Sequence, residues 1–169
     1  MTVEFEITTD IAASRATVFA LSIDIDAHLA SLADSGEQAI AGVTSGPIGL
    51  DETVTWRARH LGRTWTMTSR ISALEPPDRF VDEQVKGPFA RFRHEHRFVD
   101  HPITGRDAAA GAAGTRMTDH IRFTAPLGPL GRIAELAVLE RYLPKLIRQR
   151  NAYLTQAAED ADAPPPDAP

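Results

Sequence analysis

One long amphipathic segment near the C-terminal end restricts the ways in which this chain can fold. Within residues 130–158, apolar side chains recur at helical spacing and form a single stripe: Leu136, Leu139, Leu143, Leu146, Ile147 and Leu154. A helix with one apolar stripe must bury it against another layer of structure. Pro144 interrupts the segment, and because proline removes an intrahelical hydrogen bond, we expect a kink there or two helices in succession.

A sheet is predicted as the other layer. Val3, Phe5 and Ile7 alternate with polar residues, which is the period of a half-buried strand. After two short predicted helices come six strand-like segments separated by Gly or Pro turns: residues 37–43, 53–61, 63–74, 79–85, 90–100 and 115–125. We therefore predict an α+β fold in which a seven-stranded curved antiparallel sheet wraps around the long helix. A single helix cannot fill the whole concave face, so a cavity is expected between the two layers.

The two short helices are predicted at residues 16–21 and 25–32. Residues 100–114, rich in Ala and Gly, are expected to form a mobile connection between two strands. Residues 159–169 contain four prolines and four acidic residues, and we predict a disordered tail there. The expected organisation is a single domain, residues 1–158, followed by that tail.

Composition excludes several classes of protein. No apolar stretch approaches the ~18 residues of a membrane span, and the acidic, alternating start does not resemble a signal peptide. The absence of cysteine excludes disulfides, thiolate zinc sites and cysteine nucleophiles. A net charge of -5 argues against nucleic acid as a partner. Together these features favour a cytoplasmic protein.

Two histidines lie on one face of a predicted strand. Because side chains alternate, Phe92, His94, His96 and Phe98 share a face. The other face carries a row of charges that we expect in water: Arg91, Arg93, Glu95 and Arg97. The histidines are therefore expected to point into the concave interior.

Three interpretations of His94 and His96 remain open. They could be structural imidazoles bonded to nearby acids and amides, or polar anchors for the headgroup of a ligand. They could also hold a metal ion, with Asp82 or Asp119 as the third ligand. Because no cysteine or third neighbouring histidine accompanies the pair, we expect no metal and no cofactor.

Acidic and amide side chains are expected beside the histidines. Asp119 shares a face with Met117 and Ile121, so it should point inward and pair with a histidine. Asp82 and Gln84 would join the same cluster if the hairpin at Gly87-Pro88 places them opposite the histidines. A slip of one residue would move Asp82 to the outer face. We expect the inward register.

Several motifs resemble a known superfamily. They are Phe80-Val81-Asp82-Glu83-Gln84 with Gly87-Pro88-Phe89, the run from Phe92 to Phe98, Gly114-Thr115-Arg116-Met117-Thr118-Asp119 and Pro126-Leu127-Gly128-Pro129-Leu130-Gly131. With the order of elements, they resemble the START/Bet v 1-like (SRPBCC) superfamily over residues 2–156, in a polyketide cyclase/dehydrase-like ligand-binding branch. The resemblance implies a helix-grip fold with a ligand cavity. The superfamily includes lipid and sterol carriers, polyketide cyclases, ubiquinone-binding proteins and plant hormone receptors. Pro144 departs from the uninterrupted helix that the resemblance implies.

The function that we expect is the binding of a small hydrophobic molecule such as a lipid, a polyketide or an isoprenoid. The expected polar floor is His94, His96 and Asp119, with Asp82 and Gln84 as further members. The expected apolar walls are Trp65, Met67, Phe92, Phe98, Leu143 and Ile147.

Two other functions are open. One is a cyclase- or dehydratase-type enzyme, with His94, His96 and Asp119 as the candidate catalytic residues. The other is a protein-interaction adaptor with a vestigial cavity. Basic residues of the last helix, Arg141, Lys145, Arg148 and Arg150, are expected on a solvated face, with a weak contact to a membrane surface as the alternative.

Overall fold

The computed structural model describes residues 2–60, 62–102, 113–124 and 131–163, with the backbone alone for residues 60 and 131–140. Over these ranges the elements follow in the predicted order: β1 Thr2–Ile11, α1 Arg15–Ser22, α2 Ile25–Ser31, β2 Gln38–Gly42, β3 Thr53–His60, β4 Arg63–Glu75, β5 Arg79–Lys86, β6 Arg91–Pro102, β7 Ala113–Thr124 and α3 Gly131–Asp162. A short 3₁₀ turn, Ala33–Ser35, follows α2. The predicted α+β helix-grip architecture is confirmed.

The seven strands form one antiparallel sheet in the order β1-β7-β6-β5-β4-β3-β2. The chain passes from one edge of the sheet to the other through α1 and α2, and then returns strand by strand. Register shifts interrupt the ladder beside Ile40, Ser72 and Val85. Because a bulge bends its strand, these shifts add to the curvature of the sheet around α3.

The buried apolar side chains form two separate clusters. The large apolar cluster is Ile11, Ala13, Val18, Phe19, Ile25, Ile48, Val54, Trp56, Ile71, Phe80, Phe98, Met117, Leu154 and Ala158. The small apolar cluster consists of Ile121 and Phe123, with Val3, Phe5, Phe89, Phe92, Leu143 and Ile147 packed against them. Along β6, β7 and α3, polar residues separate the two clusters, and the candidate site lies among them.

The last helix is longer and more continuous than the sequence suggested. It runs as one helix through Pro144, so the expectation of two helices in succession is wrong. It also continues to Asp162, so residues 159–162 are helical and the tail was predicted to begin too early. Glu159 Oε1 accepts a hydrogen bond from the backbone N–H of Ala12 at 3.0 Å. The rest of that tail, residues 164–169, and residues 103–112 of the expected mobile connection lie outside the described residues.

Glu95 is buried on the outer face of β6, although the sequence placed it in water. Its carboxylate lies 2.8 Å from Arg79 Nε, 2.6 Å from Arg93 Nη2 and 2.6 Å from Arg97 Nε. Burial raises the pKa of Glu95, but the hydrogen bonds from the three arginines outweigh burial and lower that pKa to about 2. The arginine side chains therefore cover the carboxylate and keep it charged.

Candidate functional site

A cavity of about 850 Å³ lies between the concave face of the sheet and α3. Five of the six expected wall residues line it: Trp65, Met67, Phe92, Leu143 and Ile147. Trp56 lines it as well and also belongs to the large apolar cluster. Phe98 does not line the cavity, because it is 1% exposed and packs edge-to-face on Phe19, with 5.4 Å between ring centroids. That expectation is therefore corrected: Phe98 is a core residue.

The strand register brings the predicted polar residues together. Asp82 pairs with His94 and Phe80 with His96 across β5 and β6, while His96 pairs with Asp119 across β6 and β7. Asp82 therefore points inward, as expected, and it lines the cavity with both histidines. Asp119 is fully buried behind the histidines and has no surface on the cavity wall.

The histidines lie between the two aspartates. His94 Nε2 is hydrogen-bonded to Asp119 Oδ1 at 2.8 Å, and His96 Nε2 to Asp82 Oδ2 at 3.3 Å. The two imidazole rings lie 3.7 Å apart between centroids and are tilted by 36° relative to each other, and His96 stacks on Phe80 at 4.0 Å. His96 Nδ1 lies 2.9 Å from Asp119 Oδ1 but makes no hydrogen bond of acceptable geometry.

Helix α3 adds two buried polar residues that the sequence analysis did not assign to the site. Asn151 Nδ2 donates to Asp119 Oδ2 at 2.7 Å and to Thr9 Oγ1 at 3.0 Å. Arg150 Nη2 donates to the carbonyl of Ser22 at 3.1 Å, and its Nη1 lies 3.7 Å from Asp119 Oδ1. Arg150 was expected on a solvated face and is in fact 5% exposed, so that expectation is corrected.

Helical spacing could have identified Arg150 and Asn151 as interior residues. Positions 150 and 151 follow Ile147 and precede Leu154 on the stripe that faces the sheet, so any side chain there must enter the interior. The other basic residues of this stretch, Arg141, Lys145 and Arg148, are exposed, as expected. We call Asp82, His94, His96, Asp119, Arg150 and Asn151 the polar layer.

Opposing effects set the charges in the polar layer. Burial raises the pKa of Asp119, but contacts with His94 and His96 outweigh it, and the pKa falls well below the usual value for Asp. Burial also raises the pKa of Asp82, but its contacts with His96 and His94 outweigh burial, so the pKa of Asp82 is lowered as well. Burial and the neighbouring His96 lower the pKa of His94 to about 4. At neutral pH both carboxylates are therefore ionised and His94 is uncharged.

Gln84 does not line the cavity as the sequence suggested, whereas Ser69, to which the sequence analysis gave no role, does. The amide nitrogen of Gln84 donates to the carbonyl of Phe89 at 2.8 Å and so closes the β5–β6 hairpin. The register shift beside Val85 pairs Gln84 with Ser69. Ser69 is 3% exposed, lines the cavity, and its hydroxyl has no hydrogen-bond partner among the described residues. Its alternation with Met67 and Ile71 was the signal that could have identified it.

A second polar group on the cavity wall was not anticipated. His28 Nε2 lies 3.4 Å from Glu37 Oε2, and the His28 ring lies 4.4 Å from the Trp56 ring. Tyr142 of α3 lines the same cavity. Burial and, to a smaller extent, the charge of Glu37 raise the pKa of Tyr142. The short segments that carry His28 and Glu37 have no periodic pattern that would assign these side chains to an interior.

Comparison with known structures supports the fold. An aromatase/cyclase (Zhui) of a Streptomyces species aligns with a TM-score of 0.71 and 16% identity over 94% of each chain. A Thermus thermophilus protein aligns with a TM-score of 0.69 and 15% identity over 95% of this chain and 100% of its own. A START superfamily protein of Mycobacterium smegmatis aligns with a TM-score of 0.62 and 13% identity over 94% and 98%.

No curated protein matches this sequence. None of the described helices is long and apolar enough to cross a membrane. The family model described as "Polyketide cyclase / dehydrase and lipid transport" matches residues 2–159, which is nearly the whole chain. Because this match covers nearly the whole chain, the chain belongs to the polyketide cyclase/dehydrase and lipid-transport family, and it shares the fold of the START superfamily protein.

Proposed function

We propose that this protein binds a small, largely apolar molecule in its cavity and holds a polar group of that molecule at polar side chains of the cavity wall, among them Ser69, Asp82, His94 and His96. The observation that carries the proposal is a cavity of about 850 Å³ whose wall includes a buried hydroxyl, on Ser69, with no hydrogen-bond partner among the described residues. Ligand cavities in proteins fall within about 300–1,000 Å³. A buried hydroxyl without a partner costs free energy, which a ligand oxygen or nitrogen would recover.

The walls select for an elongated or polycyclic apolar body. Trp56, Trp65 and Phe92 offer aromatic surface, and Leu146 and Ile147 close the cavity from the side of α3. A ligand with hydrogen-bonding groups would meet the histidines, Asp82 and Ser69. Lipids, polyketides and isoprenoids share this combination of an apolar body with a few oxygens. A cavity of this volume does not fit the adaptor alternative, which requires a vestigial one.

A binding experiment tests this function directly. The purified protein would be examined by native mass spectrometry with organic extraction, and then titrated with the apolar fluorescent probe anilinonaphthalene sulfonate. We expect binding of the probe to the wild-type protein. In a Leu146→Trp variant, whose indole fills part of the cavity, we expect affinity to fall at least about tenfold, or 1.4 kcal/mol.

The control for that variant lies on the same helix. Ala152 is exposed on α3, so Ala152→Trp adds the same side chain outside the cavity. This variant should bind the probe like the wild-type protein. Equal binding by the wild-type protein and Leu146→Trp would contradict the proposal, as would a wild-type protein that binds neither an extracted ligand nor the probe.

A second candidate function is acid–base catalysis of the cyclase or dehydratase type. It is favoured by the arrangement in which Asp119 holds Nε2 of His94 while the ring itself lines the cavity. A carboxylate that orients an uncharged imidazole makes the other ring nitrogen a base. The base would remove a proton beside a carbonyl group of a bound ligand.

Deuterium exchange tests this candidate without knowledge of the natural substrate. Benzoylacetone is an apolar, enolisable probe, and NMR in deuterated water reports the loss of its acidic proton. Acid–base catalysis predicts exchange accelerated about 10²–10⁴-fold over buffer and lost in His94→Gln. His120→Gln, at a histidine outside the cavity lining, is the matched control. No acceleration by the wild-type protein would reject the candidate for this class of ligand.

A further inference from the structure

Both histidines of the polar layer turn one ring nitrogen toward the same buried oxygen. Asp119 Oδ1 lies 2.8 Å from His94 Nε2 and 2.9 Å from His96 Nδ1. An ionised carboxylate can only accept hydrogen bonds, so His94 Nε2, which is hydrogen-bonded to Asp119, carries the proton of its ring. The opposite nitrogen, His94 Nδ1, faces Asp82, and so does His96 Nε2.

These two nitrogens converge on a second carboxylate. Asp82 Oδ2 lies 3.7 Å from His94 Nδ1 and 3.3 Å from His96 Nε2, and one ligand atom from each of the three residues lies within 4.8 Å of the other two. Ligand atoms about 2.1 Å from a shared tetrahedral or octahedral ion are separated by about 3.0–3.4 Å. The observed spacing is therefore close to that of three ligands of one ion.

The local charge also favours a cation. The polar layer contains two carboxylates, Asp82 and Asp119, and one guanidinium, that of Arg150, which lies 3.7 Å from Asp119 Oδ1. A buried negative charge without compensation is costly. Two ring nitrogens and a carboxylate oxygen that face one another can be joined either by a proton or by a metal ion.

We propose that Asp82, His94 and His96 bind a divalent first-row transition-metal ion. Asp119 acts as a positioning residue that fixes the orientation of both rings, an arrangement common behind metal-bound histidines. Two imidazoles and one carboxylate leave coordination positions open, and because all three ligands line the cavity, the open positions face the space where an organic ligand would lie. The proposal departs from our expectation of no metal, and it does not depend on the organic ligand.

The ion would also change the chemistry of the cavity. It would occupy Nδ1 of His94, which is the nitrogen that the acid–base candidate uses as a base. The two proposals are therefore alternatives at this nitrogen. A bound divalent ion would instead polarise a carbonyl or hydroxyl oxygen of the ligand as a Lewis acid.

Metal titration of the chelator-treated protein tests the site. Zn²⁺ binding would be followed by calorimetry, and Co²⁺ binding by its visible absorption, which reports the ligand geometry. We expect one ion per chain. His96→Ala and the nearly isosteric Asp82→Asn should each abolish stoichiometric binding, and Asp119→Asn should weaken it about 10–100-fold and alter the Co²⁺ spectrum.

A surface histidine provides the matched control. His120 Nε2 lies 2.6 Å from Glu4 Oε1 and is itself a histidine–carboxylate pair, but neither residue lines the cavity. His120→Ala should therefore leave the stoichiometry and the Co²⁺ spectrum unchanged. Circular dichroism of each variant verifies folding, and Asp82→Asn keeps the test valid if His96→Ala does not fold.

Two outcomes would overturn the metal site. One is the absence of a stoichiometric ion in the wild-type titration, which would assign the added positive charge to a proton. The other is Zn²⁺ or Co²⁺ binding that survives both Asp82→Asn and His96→Ala. Titration of the metal-free protein with anilinonaphthalene sulfonate separates this result from the ligand proposal, since the apolar walls bind the probe with or without an ion.

Discussion

Asp119 is the residue on which the polar layer depends most. It is fully buried, accepts hydrogen bonds from His94 and Asn151, and lies 3.7 Å from Arg150. These contacts connect β6, β7 and α3 through one carboxylate. Removing one partner of a buried ionic cluster leaves the other charge uncompensated, which costs far more than loss of a surface pair.

Asp119→Asn is therefore expected to lower the free energy of unfolding by about 3 kcal/mol or more. Asp10→Asn is the matched control, because Asp10 forms an exposed pair with Arg116 at 2.7 Å. The control should lose at most about 1 kcal/mol. Urea denaturation followed by circular dichroism measures both variants, and similar losses in the two would show that Asp119 does not organise the layer.

Residue-level prediction succeeded where the relevant periodicity was local. Alternation along β6 and β7 was sufficient to direct His94, His96 and Asp119 inward, and the inward register of Asp82 followed from the Gly87-Pro88 hairpin. Arg150 was assigned by its charge and not by its place on the helical stripe, so it was wrongly given to the surface. Gln84 was misplaced because the register shift beside Val85 depends on packing between strands, which no local pattern encodes.

At the level of secondary structure, β6 illustrates how one strand can bury both faces by different means. Its inner face ends at Phe98, which packs in the large apolar cluster, while its outer face buries Glu95 under three arginines. The alternation of side chains along the strand predicts burial on the inner face only, so the burial of Glu95 on the outer face is not expected from it. Sequence patterning identifies burial by apolar contact, but it gives no signal for burial beneath long charged side chains.

Phe98→Ala should lower the free energy of unfolding by about 3–5 kcal/mol, because a fully buried ring leaves a cavity when it is removed. Its neighbour Val99 is 53% exposed, so Val99→Ala on the same strand should change the free energy by at most about 0.5 kcal/mol. Chemical denaturation compares the two. Equal effects would mean that the outer face of β6 at Val99 is covered by contacts absent from this structure.

The end of α3 is held by α1. Asp162 Oδ1 accepts a hydrogen bond from Thr17 Oγ1 at 2.6 Å, and its other oxygen accepts from the backbone N–H of Ser14. Ser14 is the N-cap of α1, so the carboxylate also lies at the positive end of that helix. Composition alone assigned this region to a disordered tail, because contacts between Asp162 and a segment 148 residues away leave no local pattern.

The hydrogen bonds of Asp162 predict that the free energy of unfolding depends on pH. The hydrogen bonds from Thr17 and Ser14 lower its pKa in the folded protein, so its contribution is present above the usual pKa of about 3.9 and is lost as the pH falls through the folded value. Because solvent screens an exposed carboxylate, Asp162→Asn should cost at most about 1 kcal/mol near pH 7 and progressively less below about pH 4. Asp160→Asn, at an exposed position of the same helix, is the control, and its effect should be small at both pH values. A constant cost for Asp162→Asn across this range would contradict the assigned role.

At the scale of the whole molecule, the cavity exists only when the helix and the sheet are packed together in the folded chain. Helix α3 packs on α1, α2 and β1 and forms one side of the cavity, so a ligand that contacts both the helix and the sheet binds the folded chain and not the unfolded one. The arrangement of one sheet around one helix could be predicted from the sequence, because it follows from the number and order of amphipathic segments. The volume could not, since it depends on how far three register shifts bend the strands.

Ligand binding should therefore raise the stability of the whole chain. A ligand at 100 times its dissociation constant adds about 2.7 kcal/mol to the free energy of unfolding, so the melting temperature should rise steadily with the concentration of anilinonaphthalene sulfonate. Differential scanning calorimetry measures that increase, which should be preserved in Ala152→Trp and largely lost in Leu146→Trp. Because Leu146 belongs to neither apolar cluster, the melting temperature of Leu146→Trp without probe should remain close to that of the wild-type protein. An equal increase in Leu146→Trp and the wild-type protein would place the bound probe outside the cavity and separate ligand binding from the concave face of the sheet.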